Sequence, residues 1–120
     1  MHEASIAEAL LEQIAEAASR HGARRVVGAR VAVGALSAVE PRALAFAFEV
    51  MRAGTVAAEC ELAIEERPLV VSCAACGHSG PQDPHEPGCP RCQAVPVSVV
   101  SGRELCLVSV DVEDDDARAT

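Results

Sequence analysis

The chain has no lysine, no tryptophan and no tyrosine, and only two phenylalanines among its 120 residues. Without large aromatic side chains, a core must be assembled from Ala, Val, Leu and Ile, and it will be thin. A core that small is marginal for a chain of this size, so a metal staple would help it fold. The absence of lysine and a net charge of −8 argue against a nucleic-acid partner, because a phosphate backbone selects a Lys/Arg-rich face. No apolar stretch is long enough to span a bilayer, and the first residues do not resemble a signal peptide. The expectation is one small cytoplasmic domain, or a domain carrying a smaller one, with no membrane partner.

Cysteine is abundant by contrast, with six in all. Four form two pairs, Cys73-Ala-Ala-Cys76 and, after twelve residues, Cys89-Pro-Arg-Cys92. A CxxC pair presents two sulfurs from one tight turn. Two such turns can place four thiolates at the corners of a tetrahedron, the arrangement of a closed structural zinc site. The other use of CxxC is thiol redox chemistry, where the pair normally opens a helix. Here Gly77 and Pro90 favour knuckle turns, and a reducing compartment favours metal ligation over disulfides. Four thiolates leave no open position, so this zinc would be structural and not catalytic. The intervening run (Gly77, Gly80, Pro81, Pro84, Pro87, Gly88) reads as a flexible loop. It carries His78 and His85, each able to visit the metal or simply to be solvated. Cys60 and Cys106 fall on inward positions of apolar strands and read as small buried hydrophobes.

Periodicity supplies the rest of the domain. Ser5 and Glu8 fit a capping box, and Ile6, Leu10, Ile14 and Ala18 recur every fourth residue as far as His21-Gly22, where Gly ends a helix. Arg25 to Gly34 alternates as a strand, with Val27, Ala29, Val31 and Val33 on one face. Pro41 belongs at the first helical position of a second helix, with Glu40 near the cap, and Leu44, Phe48 and Met51 give its buried face. Glu59 to Glu66 alternates again, with Cys60, Leu62 and Ile64 inward. Glu104 to Val112 is a final strand with Cys106, Val108, Val110 and Val112 on one face. The acidic tail beyond it is expected to be disordered. The order predicts an α+β fold: a small three-stranded sheet with two helices, plus an inserted zinc-ribbon-like four-cysteine module. The boundaries would be 1–68 together with 104–120 for the α+β domain, and 69–103 for the zinc-binding insertion.

The first two residues offer a second kind of site. The amine of Met1, the amide nitrogen of His2 and the imidazole Nδ1 of His2 can close two fused chelate rings around one ion. That nitrogen set suits Ni(II) or Cu(II). Glu3 follows in sequence, and Glu40 can add an oxygen if the two helix starts meet in space. A histidine at position 2 taken alone is more often incidental.

Here the residues resemble a known family. Met1-His2-Glu3-Ala4-Ser5-Ile6 is similar to the MHExS start of the HypA/HybF nickel metallochaperones of [NiFe]-hydrogenase maturation. Val33 to Pro41, followed by Phe46-Ala47-Phe48-Glu49, is similar to that family's central segment. The two CxxC pairs and Gly102-Arg103-Glu104-Leu105 stand where the family has its zinc motif and final strand. The resemblance implies His2 as principal nickel ligand, with Glu3 and Glu40 coordinating or supporting it, and structural zinc on Cys73, Cys76, Cys89 and Cys92. It also implies a HypB-type GTPase and the hydrogenase large subunit as partners, with urease maturation proteins served by some members. The competing reading is a zinc-ribbon adaptor or nucleic-acid-binding module without nickel chemistry. Only Arg91 and Arg103 flank the knuckles to support it.

Overall fold

A computed structural model describes residues 3–114. The elements run α1 (Glu3–Arg20), β1 (Ala23–Gly34), α2 (Pro41–Met51), β2 (Glu61–Arg67), β3 (Val70–Ser72), β4 (Ser79–Pro81), β5 (Ser98–Ser101) and β6 (Leu105–Asp114). They form two three-stranded sheets, ordered β2-β1-β6 and β4-β3-β5. The expected α+β class, its two helices and its first sheet are therefore present. The chain divides into two compact units. One comprises Met1–Val31, Val39–Glu65 and Cys106–Thr120; the other comprises Ala32–Ala38 and Glu66–Leu105.

In the first unit, α1 packs against α2. Ile6, Leu10, Ile14 and Ala18 are all buried, with Ala7 beside them. This is the expected stripe, and it is why an 18-residue segment rich in glutamate holds as a helix. The helix is already formed at Glu3, so Ser5 lies within its first turn and is not its cap. Gly22 adopts φ +64° just past the last turn, as a C-terminal glycine should. Glu40 is the N-cap of α2: its carboxylate accepts from the Ala43 N–H at 2.8 Å, and Pro41 opens the helix. Leu44 and Phe48 are buried beneath it. The Arg52 guanidinium donates to the Cys60 carbonyl and closes the turn toward β2.

The strand phases depart from expectation at two places. Val26 is fully buried and Val27 is 39% exposed, whereas Ala29, Val31 and Val33 are buried as read. The phase slips at Gly28, where a Cβ would lie 2.9 Å from Asp111 Oδ2. The missing side chain lets Asp111 lie across the strand. The second departure is β6. Cys106, Val108 and Val112 are exposed and Val110 is half-buried. This strand is at the edge of its sheet, and alternation fixes which residues share a face without fixing whether anything covers it. Cys60, by contrast, is fully buried as read, and burial pushes its thiol pKa up.

The second unit is built on β3, antiparallel to β4 with Val70 opposite Pro81 and Ser72 opposite Ser79, and antiparallel to β5 with Ser72 opposite Ser98. Its remaining segment, 32–38, is tied in by backbone. The Gly34 N–H donates to the Glu104 carbonyl, and the Leu36 N–H to the Gly102 carbonyl, both at 2.7 Å. Gly34 is a requirement of this approach, because a Cβ there would sit 2.2 Å from the Gly102 oxygen. Gly102 itself has φ +123°, with Leu69 Cα 2.9 Å from where its Cβ would be. Glu104 Oε1 accepts from the Gly102 N–H. Its own N–H, that of Gly102 and the nearby Arg67 hold its carboxyl below the usual range despite some burial. Gly34→Ala is expected to cost about 2 kcal/mol or more, since backbone must move. Urea denaturation measures this, and an unchanged midpoint would contradict the close approach.

Candidate metal centre

The two cysteine knuckles are built alike. In the first, the Cys73 N–H donates to the His78 carbonyl and the Gly77 N–H to the Cys73 carbonyl. In the second, the Cys89 N–H donates to the Ala94 carbonyl and the Gln93 N–H to the Cys89 carbonyl. Gly77 and Gln93 occupy the same place four residues after the first cysteine, and both are left-handed, at φ +78° and +67°. Glycine meets that demand without steric penalty and Gln93 meets it with one.

These turns bring all four sulfurs within 4.8 Å of one another. Cys73 Sγ lies 3.6 Å from Cys92 Sγ, and Cys76 Sγ 3.7 Å from Cys89 Sγ. Zinc–sulfur bonds of about 2.3 Å in a tetrahedron require sulfurs about 3.8 Å apart, so the cluster has the size of a filled four-thiolate site. Cys73 and Cys89 are buried, and Cys76 and Cys92 are more open. Cys89 Sγ also accepts backbone N–H groups from Arg91 at 3.3 Å and Cys92 at 3.4 Å.

The electrostatics call for a cation. Burial raises the Cys89 thiol, but the N–H groups of Cys92 and Arg91 and the adjoining Cys76 and Cys92 thiols more than offset it, bringing it to about 6. The Ala94 N–H lowers Cys92, yet burial and the neighbouring sulfurs of Cys73, Cys76 and Cys89 push it to about 12. The Cys89 thiolate forms readily, and the neighbouring sulfurs hold back the ionisation of Cys92. A divalent metal removes that repulsion and displaces the remaining protons.

The chain between the knuckles is more ordered than its composition implies. Gln82 Nε2 donates to the Glu86 and Gly88 carbonyls at 2.8 and 2.6 Å, and Asp83 Oδ1 accepts from the His85 N–H. Reading that run as a flexible loop missed Gln82, because one amide side chain among glycines and prolines gives no periodic signal. Among the described residues, neither His78 nor His85 joins the sulfur cluster.

The other candidate residues divide between described and undescribed parts. Met1 and His2 lie outside the described residues. Glu3 and Glu40 are brought together: the Glu40 N–H donates to Glu3 Oε2 at 3.1 Å. That bond joins the first turn of α1 to the cap of α2.

An α+β domain with paired helix starts, joined to a small sheet that gathers four cysteines, defines a metal-binding protein. The family model described as "HypA: Hydrogenase/urease nickel incorporation, metallochaperone, hypA" matches residues 1–112, and the chain belongs to that family. It is 36% identical over 116 residues to "Hydrogenase maturation factor HypA" of Chlorobium limicola, covering 97% of this chain and 100% of that protein. It is 38% identical over 113 residues to "Hydrogenase maturation factor HybF" of Salmonella typhimurium, covering 94% and 100%. Among solved structures, the Ni metallochaperone HypA from Helicobacter pylori matches with a TM-score of 0.69 and 25% identity, covering 96% of this chain and 100% of that one. No described helix is long and apolar enough to cross a membrane.

Proposed function

We propose that this protein is a cytoplasmic nickel metallochaperone that binds Ni(II) at its N-terminus and delivers it for [NiFe]-hydrogenase maturation. In this reading His2 is the principal ligand, with the Met1 amine and the His2 amide nitrogen completing a planar nitrogen set. The observation that carries it is the 3.1 Å bond from the Glu40 N–H to Glu3 Oε2. It ties Glu3, the residue next in sequence to His2, to Glu40, 37 residues away, which supports the two acting together. The Glu40 carboxylate is committed to the Ala43 N–H, so its role is to support the nickel site by capping α2 and so holding in place the Glu40 backbone N–H that binds Glu3.

Zinc is the metal assigned to Cys73, Cys76, Cys89 and Cys92, where it stabilises the second unit and exchanges slowly. Nickel sits on few, accessible ligands, so an acceptor can replace them one at a time. A HypB-type GTPase and the hydrogenase large subunit are the proposed partners, with urease maturation proteins as a further destination. Nickel affinity falls at acid pH, because protons compete for the imidazole and the amine.

Glu40 variants test the assignment. Glu40→Ala removes a helix cap and is expected to cost about 1 kcal/mol of stability. Glu40→Gln keeps an oxygen for the Ala43 N–H and should leave stability nearly unchanged. Glu40→Ala should weaken nickel binding by roughly tenfold, as loss of a supporting group does, and by less than His2→Ala, whereas Glu40→Gln, which keeps both the cap and the backbone N–H that binds Glu3, should weaken it less. Calorimetry on the three proteins decides it: a loss in Glu40→Gln as large as in His2→Ala would make Glu40 a principal ligand.

A further inference from the structure

The second cysteine knuckle borders a cavity of about 570 Å³, the size of a ligand pocket. Pro81, Pro87, Pro90 and Val95 give it apolar walls. Its two sides are locked together by backbone. Gln82 Nε2 ties the Glu86 and Gly88 carbonyls, and the Cys89 N–H donates to the Ala94 carbonyl. Gly88 packs so closely that a Cβ there would lie 2.9 Å from the Ala94 oxygen and from Val95 Cγ2. The opening is therefore formed in advance, which saves the ordering cost of binding.

Two further features show what it suits. The first is Gln93, which also lines the cavity. It stands where the first knuckle has Gly77, at φ +67° against +78°. Glycine takes that conformation freely, and glutamine holds it under strain. Strain of this kind persists where a side chain is needed. The second feature is the charge of the lining. Asp83 and Glu86 line the cavity and are exposed. Neither has an ion-pair partner among the described residues, and no arginine lines the wall. Gln82 adds a buried side-chain oxygen that accepts no hydrogen bond among the described residues. The wall is apolar, anionic and short of donors.

We propose that this cavity receives an arginine side chain presented by a partner protein. An arginine stem covers apolar surface while its head keeps its charge, as a cavity with proline walls and carboxylates at its mouth requires. The guanidinium carries five N–H donors and no acceptor, and it meets the carboxylates of Asp83 and Glu86 and the amide oxygen of Gln93. Lysine matches the charge, but its ammonium is a compact and more strongly hydrated point. A single side chain gives a weak contact, so an isolated arginine probe should bind with a dissociation constant on the order of millimolar. The inference stands apart from the nickel reading, and its test uses no nickel.

The probe is N-acetylarginine amide, titrated to about 50 mM into isotope-labelled, zinc-loaded full chain and followed by amide NMR. Saturable shifts are expected along the cavity lining, from Pro81 to Val95. N-acetyllysine amide should bind about threefold more weakly or worse, and N-acetylcitrulline amide, the neutral isostere, about tenfold more weakly or worse. Asp83→Asn with Glu86→Gln should weaken the arginine probe by about tenfold, with the Asp83 oxygen still available to the His85 N–H. Gln93→Gly separates strain from recognition. That variant should hold zinc and unfold no earlier than wild type, because the strain is gone, yet bind the probe about threefold more weakly or worse. Free arginine brings a carboxylate toward Asp83 and Glu86 and should bind less well than the amide. Tighter binding of the free amino acid would overturn the protein partner. No saturable shift, equal binding of the citrulline probe, or a Gln93→Gly protein that binds like wild type would overturn the site.

Discussion

Cys89→Ser is expected to abolish binding of the zinc proposed for the four-sulfur site and to leave the second unit without a fixed structure. Among the described residues, the buried side chains of that unit are Ala32, Val33, Leu69, Val71 and two of the cysteines themselves, Cys73 and Cys89. So few apolar side chains cannot offset the ordering of the nearly fifty residues of 32–38 and 66–105. Structural zinc contributes on the order of 10 kcal/mol or more in small zinc modules, so the zinc proposed for these four sulfurs would be the dominant stabilising term. Cys89 is the most sensitive position, since its sulfur accepts two backbone N–H groups and ionises first, near 6. The first unit keeps its own core of Ile14, Val26, Leu44 and Phe48 and should stay folded. Zinc analysis with amide NMR measures both halves of the expectation, and one zinc per chain in the variant would contradict the four-sulfur site.

The same cluster sets a pH dependence. The folded Cys89 pKa lies below the ordinary thiol value, so its thiolate stabilises the metal-free unit above that ordinary value. This contribution is lost as the pH falls through about 6. Cys92, pushed to about 12, has the opposite sign: it favours the folded state while protonated. Binding of the proposed zinc at neutral pH would therefore expel the Cys92 proton, and acid would release the metal.

His2→Ala is expected to weaken nickel binding by at least about a hundredfold, beyond what removal of a supporting group costs. Zinc content, helix content and thermal stability should be unaltered, because none of the described hydrogen bonds that hold α1 to α2 depends on that imidazole. Calorimetric titration of Ni(II) into the zinc-loaded variant reads the effect directly. An affinity equal to wild type would remove His2 from the site.

Much of this architecture was legible because its signals are local. The α1 stripe, the Glu40-Pro41 start of α2 and the paired CxxC spacing each fix structure within one or two turns of chain. Ser5 misled because a capping box was assigned where the helix had already begun. Val27 parts from the face of Ala29, Val31 and Val33 next to Gly28, where Asp111 lies close, and the inward placing of Cys106 failed because alternation along β6 fixes which residues share a face without fixing whether anything covers it. The bond between Glu3 and Glu40 spans two elements; the sequence could offer it only on the condition that the two helix starts meet, and the resemblance added a reason to expect it. Gln82, the two N–H groups on Cys89 Sγ and the strained Gln93 left no pattern to read. Backbone donors are invisible to any motif of side chains.

The central claim is that nickel is held by the beginning of the chain, and one extra N-terminal residue tests it most directly. Ni(II) is titrated calorimetrically into zinc-loaded protein with Met1 as its first residue, and into the same protein carrying a single glycine before Met1. The extension moves the amine away from His2 and breaks the fused chelate while leaving every side chain in place. Tight binding to the native form, lost in the extended one, is the predicted result. Equal binding by both would place nickel on side chains alone and contradict the account.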